Sequence, residues 1–286
     1  MPSIREILCP VDFSDTSRHA VEHAATLARW YRARITALFV YTPIYVPLPG
    51  AVPMPAMAGP DAAEMARLKA DLVAALAPAA STGVQVDTVV REGAPAVDIL
   101  DAAQALPADL IVMGTHGAGG FERLVLGSVT ERVLRKSTCP VLTVPPRVES
   151  AARLPFRSIL CAVDFSPSAE VALKYARSLA AEGQAHLTLV HVLDWPEEEP
   201  VSYRAFDIPE YKRLVAHDVK VRLEAMVPPG ERAAGPFEIR LAHGKAYREI
   251  VSMARAVSAD LIVMGAGGAH PFEFLFGSTA SQVVRT

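Results

Sequence analysis

Three cysteines in 286 residues, at positions 9, 139 and 161, are too few for a disulfide framework and lack CxxC spacing. Each lies in an apolar run that reads as a buried strand, so all three are expected to be core thiols in a reducing compartment. An excess of charge of one sign is also missing. Lys and Arg number 28 against 31 Asp and Glu, and the formal charge of −3 creates no field to gather nucleic acid or anionic lipid. Any anion must be held by local geometry. No apolar run approaches the length of a membrane span, and the N-terminus lacks the basic-then-apolar order of a signal peptide, so the expected location is cytoplasmic. Neither a GxGxxG turn after the first strand nor a GxxxxGK[ST] loop occurs, which disfavours two common nucleotide folds. A Ser-His-Asp order, paired strand-end carboxylates and metal-ligand spacings are likewise missing. At most weak hydrolysis is expected, without dedicated catalytic machinery.

What the chain does have is itself, twice. Residues 7–14 (ILCPVDFS) return at 159–166 as ILCAVDFS, and ADLIVMG at 108–114 returns at 259–265. The displacements, 152 residues from Ile7 to Ile159 and 151 from Ala108 to Ala259, are domain-sized, so this is a tandem duplication rather than a solenoid. Domains over 1–146 and 156–286 are expected, with the polar stretch 145–155, proline at both ends, as linker.

Each copy alternates strand and helix patterns. In the first, a continuous apolar run at 4–11 reads as a strand, followed by a helix through Ala20, Ala24, Leu27 and Ala28 and a strand at 34–41. A helix at 61–80, a strand at 85–91, a helix at 96–105, a strand at 110–114, a helix at 129–136 and a strand at 141–144 complete it. Strands apolar on both faces are covered by helices on both sides, which predicts an α/β fold with a doubly wound parallel sheet. The second copy predicts strands at 159–163, 186–192, 237–241 and 261–265, and helices at 168–181, 208–226 and 247–256; it has no counterpart to the last strand of the first. The stretch 43–60 carries six prolines and reads as a long loop, either a surface excursion or a lid.

In such a sheet, ligands bind beyond the carboxyl ends of the strands, where strand order reverses. After the first strand comes Asp12, which serves either a turn or hydrogen bonds to a ligand's adenine or ribose. After the fourth strand the chain reads Gly114-Thr115-His116-Gly117, then nine residues, then Gly127-Ser128-Val129-Thr130 opening a helix. Glycine amides and a helix N-terminus suit a phosphate. Ser128 and Glu131 also fit a capping box, which would explain the serine without a ligand. The spaced glycines favour the phosphate. His116 and His243 lie closest to the crevice and read as solvated loop histidines or as groups orienting a terminal phosphate.

The pattern G-x2-G-x9-G-S, joined to an Asp after the first strand, resembles the universal stress protein family in its ATP-binding branch, and the likeness covers both copies. The resemblance implies two tandem flavodoxin-like (adenine nucleotide alpha hydrolase-like) domains with sheets in order 3-2-1-4-5, the second lacking its last strand. It implies ATP, with Pro10, Val11, Asp12 and Val40 at the adenosine and Met113, Gly114, Gly117, Gly127, Ser128, Val129 and Thr130 along the phosphates. In the second copy Asp164, Val192, Gly265, Gly268, Gly277 and Ser278 correspond. There only eight residues separate Gly268 from Gly277, and Ser281 replaces Glu131, so the first site is expected to fill more readily. A Mg²⁺ accompanying the triphosphate would take its ligands mostly from phosphate and water, and no protein ligand is assigned. The leading expectation is an ATP-binding regulator of the stress response; a slow ATPase or a nucleotide-free pairing module are the other readings. In the family single domains pair, which implies intramolecular pairing of the two copies here and leaves room for a homodimer.

Overall fold

Two parallel sheets with helices on both faces make up the computed structural model, which describes residues 4–42, 60–116, 126–146, 154–194, 209–227, 236–267 and 277–286. Backbone contacts divide the chain into two compact units, one for each copy. In the first, β1 (Glu6–Pro10), β2 (Arg34–Tyr41), β3 (Val86–Glu92), β4 (Leu110–Gly114) and β5 (Val141–Val144) lie in the order β3-β2-β1-β4-β5. They are joined through α1 (Asp15–Tyr31), α2 (Ala62–Ala80), α3 (Pro95–Ala105) and α4 (Ser128–Lys136). In the second, β6 (Ser158–Ala162), β7 (His186–Leu193), β8 (Phe237–His243) and β9 (Leu261–Met264) form a four-stranded sheet in the order β8-β7-β6-β9. Its helices are α5 (Pro167–Gly183), α6 (Pro209–Met226), α7 (Ala246–Ala256) and α8 (Ser278–Arg285). The expected doubly wound fold and the shorter second sheet are both observed.

β1 pairs in parallel with β2 (Cys9 opposite Ala37) and with β4 (Leu8 opposite Ile111), so the strand order reverses between β1 and β4. Leu8, Leu38, Ile99, Ile111, Met113 and Val133 form one buried cluster between this sheet and helices α3 and α4. The crevice of the first unit is therefore expected at the carboxyl ends of β1 and β4.

The opening strand is not apolar throughout, as its pattern suggested. Glu6 is buried, accepting hydrogen bonds from Arg34 Nε at 2.7 Å and Thr36 Oγ1 at 2.6 Å. A buried carboxylate persists only when its charge is paired and its oxygens are bonded. At the same end of the sheet Asp109 Oδ2 accepts from the amides of Arg5 (2.7 Å) and Glu6 (3.0 Å). Asp260 does the same for Arg157 (2.7 Å) and Ser158 (2.9 Å). The aspartate of the repeated ADLIVMG segment is thus a stitch between strands, at the end of the sheet away from the crevice.

Helix α2 begins where Asp61 caps it, Oδ1 accepting from Glu64 N at 2.7 Å. Residues 43–59 of the proline-rich stretch and 147–153 of the linker lie outside the described residues. No described helix is long and apolar enough to cross a membrane.

Cys9 and Cys161 are fully buried at equivalent places in β1 and β6, and desolvation pushes both thiols up to about 12. Cys139 is only half-buried, its thiol also raised chiefly by desolvation. Since the thiolate is the reactive form, a disulfide reagent at pH 8 should label Cys139 first in the native protein, with Cys9 and Cys161 reacting only after denaturation. Three thiols reacting at one rate without denaturant would contradict this placement.

Candidate functional site

The crevice is built from two chain segments that leave adjacent strands. At the end of β1, Val11 is buried and its amide donates to Leu38 O at 2.9 Å. The exposed Asp12 folds back, Oδ1 accepting from Ser14 N at 3.0 Å and from Ser14 Oγ. Ser14 then caps α1, its Oγ accepting from Ser17 N at 3.2 Å. Of the two roles open to Asp12, the turn is therefore occupied, by a carboxylate that still lies at the surface. Between them Phe13 sits in the left-handed region at φ 62°, and Phe165 repeats this at φ 63°. A bulky residue there is an outlier that its surroundings must enforce. Phe13 packs tilted against Phe39 at 4.9 Å between centroids, and Phe165 against His191 at 4.8 Å. In the sequence only the repeated Asp-Phe-Ser triplet marks this feature.

At the exit of β4 three consecutive carbonyls are tied to the scaffold. Gly114 O accepts from Thr130 Oγ1 at 2.9 Å, Thr115 O from Gly127 N at 2.9 Å, and His116 O from Thr16 Oγ1 at 2.6 Å. Thr16, in the first turn of α1, also went unnoticed in the sequence. Its counterpart Ser168 donates to Gly267 O at 2.8 Å, and Gly277 N to Ala266 O at 2.9 Å. The third strut is missing from the second copy, where Ala280 stands in place of Thr130. Thr16→Val keeps the shape but leaves a loop carbonyl without its donor, which should cost about 1–2 kcal/mol in urea unfolding. A midpoint equal to wild type would show that the strut carries no weight.

Helix α4 starts without a side-chain cap. Its N-cap is Gly127, at φ −57° and ψ 135°, and among the described residues no side chain caps the first turn. The capping-box reading of Ser128 and Glu131 is thereby corrected: Ser128 is the first helical residue rather than the cap, and Glu131 pairs with Arg135 at 3.3 Å. By helix geometry the amides of Ser128, Val129 and Thr130 have no intrahelical acceptor, and the positive end of the helix dipole lies among them. Helix α8 begins in the same way, with Gly277 at φ −55° and ψ 135° and no side-chain cap. The loss of the glutamate at Ser281 therefore removes no cap.

The remaining expected site residues fall into place around this start. Val40, Met113 and Val129 all belong to or pack on the apolar cluster under the crevice, and Pro10 is half-buried at the end of β1. Ser128 is exposed, and Thr130 is buried on its bond to Gly114. In the second unit Val192 packs on the equivalent cluster, Asp164 Oδ1 accepts from Ser166 N at 3.0 Å, and Ser278 is exposed beside the half-buried Gly265 and Gly277. Gly117 and Gly268 lie outside the described residues, as do the arcs that follow them. His116 Nδ1 meets Thr115 Oγ1 at 2.9 Å, while its Nε2 is buried with no partner among the described residues. His243 is exposed at the end of β8. An uncapped helix start is a donor set that suits an anion. Among the described residues no group of three or more His, Cys, Asp and Glu stands together as a metal shell.

A family model described as the universal stress protein family matches residues 3–145 and again 155–286. The chain belongs to the universal stress protein family. Among the family's members, one from Mycolicibacterium smegmatis is 28% identical over 293 residues, spanning 98% of this chain and 93% of its own. Another, from Methanocaldococcus jannaschii, is 36% identical over 143 residues, which are 49% of this chain and 81% of that protein. The fold is similar to the crystal structure of a universal stress protein from Archaeoglobus fulgidus, with a TM-score of 0.69 at 22% identity over 99% of this chain and 93% of that one.

Proposed function

We propose that this universal stress protein is an ATP-binding regulator that holds its nucleotide chiefly in the first domain, residues 1–146. The observation that carries the reading is the uncapped start of α4, whose first three amides have no intrahelical acceptor and whose Ser128 is exposed, beside the tied-down exit of β4. The adenosine would rest against Pro10, Val11, Asp12 and Val40, and the phosphates against Gly114, Gly127 and the amides of Ser128, Val129 and Thr130, with Gly117 beside them. Bound ATP supplies a compact, multiply charged anion that a helix N-terminus stabilises. A Mg²⁺ would ride on the phosphates and water. The second domain, residues 156–286, would bind more weakly through Asp164, Val192, Gly265, Gly268, Gly277 and Ser278. Its arc is one residue shorter, and Ala280 removes the hydroxyl strut. Occupancy would bias how the two domains pair, or pairing between copies, in the cytoplasm.

The test is mass spectrometry of small molecules released from gently purified protein, followed by calorimetric titration of the stripped protein with ATP and with adenosine. An adenine nucleotide in the first measurement, and tighter binding of ATP than of adenosine in the second, are expected. Protein free of nucleotide that shows no heat with either ligand would leave the pairing module as the reading. Phosphate release by the pure protein, lost in Asp12→Ala, would favour the slow ATPase.

A further inference from the structure

The turn from α1 into β2 carries a surface that the two copies do not share. In the first copy it reads Arg29-Trp30-Tyr31-Arg32-Ala33-Arg34, where the second has Ala181-Glu182-Gly183-Gln184-Ala185-His186. Arg29, Trp30, Arg32 and Arg34 are all exposed, the indole to 44%. Arg32 is the C-cap of α1, in the left-handed region at φ 55°, a position that backbone sterics reserve for glycine or asparagine. Gln184 repeats that conformation at φ 50°, so the turn belongs to the scaffold and the charge belongs to the first copy. Arg5, also exposed, lies beside them, its carbonyl accepting from Arg34 N at 2.8 Å. Arg34 is held by Glu6 at 2.7 Å and Asp87 at 3.7 Å. Asp109 is close by, but its carboxylate accepts from the amides of Arg5 and Glu6. Among the described residues no ion pair engages the guanidinium of Arg5, Arg29 or Arg32.

We infer that this turn is a docking surface for an acidic segment of a partner protein, one in which closely spaced carboxylates flank an aliphatic side chain. Charge complementarity sets the sign of the partner, and a planar guanidinium takes a carboxylate through two parallel hydrogen bonds. The half-open indole supplies the apolar anchor, and Trp, Tyr and Arg are the residues that carry most binding energy at protein interfaces. Nucleic acid fits less well. Its affinity is built from many phosphate contacts, about 6–10 in a strong binder, and three unpaired arginines on a chain of net charge −3 fall short of that. An anionic bilayer is held by clusters of about 4–8 basic residues or by an apolar helix face, and this turn offers neither. The surface lies at the amino end of β2, away from the crevice, so it stands whether or not the nucleotide reading does.

The test uses the full chain and a fluorescein-labelled synthetic peptide of repeating Glu-Glu-Leu, followed by anisotropy. The chain's two tryptophans are Trp30 and Trp195, so in a Trp195→Phe protein indole emission reports on this turn alone. Saturable binding that shifts the Trp30 emission and weakens as salt rises is expected, with affinity at least about tenfold lower in Arg29→Gln and in Arg32→Gly. Arg32→Gly decides, because glycine suits the left-handed cap: its melting temperature should hold or rise while peptide binding falls. A peptide that does not bind saturably, or that binds both variants as tightly as wild type, would overturn the surface. So would equal binding of a Lys-Lys-Leu peptide, which would leave only apolar contact. Tighter binding of oligothymidylate or of phosphatidylserine vesicles than of the acidic peptide would assign the turn to nucleic acid or to membrane, and equally overturn it.

Discussion

Ser128→Asp is expected to make the protein more stable and a poorer binder of ATP at the same time. Ser128 is the first residue of an uncapped helix and is exposed, so a carboxylate there meets no steric obstacle. A negative side chain in the first turn complements the helix dipole by about 0.3–1 kcal/mol. The same charge stands where the triphosphate is proposed to lie, and like charges a few ångströms apart in partly screened surroundings repel by about 1–4 kcal/mol. ATP affinity should fall about tenfold or more, 1.4 kcal/mol corresponding to each factor of ten. Adenosine affinity should hardly change, because the nucleoside carries no phosphate. Thermal melting and calorimetry on one preparation give both readouts. If ATP bound Ser128→Asp as well as wild type, the phosphates would have to lie elsewhere.

The second large effect belongs to Gly114. A Cβ added there would lie 3.0 Å from Thr16 Cβ and 3.1 Å from the Thr16 carbonyl carbon and oxygen. The last two are backbone atoms at the start of α1 and cannot yield without parting α1 from β4. Gly114→Ala should cost about 1–3 kcal/mol by overpacking, and Gly114→Val more, with loss of the tied carbonyls and of ATP binding. The second copy supplies the comparison. At Gly265 a Cβ would lie 2.6 Å from Ser168 Oγ, 2.8 Å from Ser168 C and 2.9 Å from Ala169 N. Gly265→Ala should therefore be at least as destabilising, yet leave ATP binding in the first domain in place. Urea unfolding and ATP titration of the variants separate the two roles. A Gly114→Val protein as stable as wild type would refute the packing account.

These two positions show what was legible in the sequence. The doubly wound parallel fold could be read because strands buried on both faces leave an unbroken apolar run and the intervening helices leave a 3.6-residue period, whereas the strand order was implied only by the family resemblance. Gly114 was legible as a special position, but for an incomplete reason. Sequence suggested room for a phosphate; the structure adds that the glycine lets β4 approach α1, a contact between residues about a hundred positions apart. Ser128 was ambiguous because a capping box and a bare helix start share the same letters. Only the backbone at Gly127, with its ψ of 135°, shows that the cap has moved one residue earlier.

Thr16 carried no sequence signal and Thr130 was marked only as a phosphate neighbour, since a threonine's hydroxyl strut is invisible until it is seen against a carbonyl from another segment. Glu6 was hidden by its apolar neighbours, and its partners Arg34 and Thr36 lie on the adjacent strand. The left-handed Phe13 was recoverable in principle. Asp-Phe-Ser occurs at both strand ends, and in both copies the aspartate accepts from the amide two residues on across a left-handed phenylalanine. The duplication helps in a further way, because a strut present in both copies reads as scaffold. A feature in one copy only, such as Thr130, reads as specific to the first domain.

The central claim is that the free amides at the start of α4 take the phosphates, and amide-resolved NMR of ¹⁵N-labelled protein tests it most directly. On titration with ATP the amide protons of Ser128, Val129 and Thr130 should move downfield as they gain a charged acceptor, and adenosine should leave them nearly unmoved. Saturating ATP that shifts resonances elsewhere in the chain but not these three would contradict it.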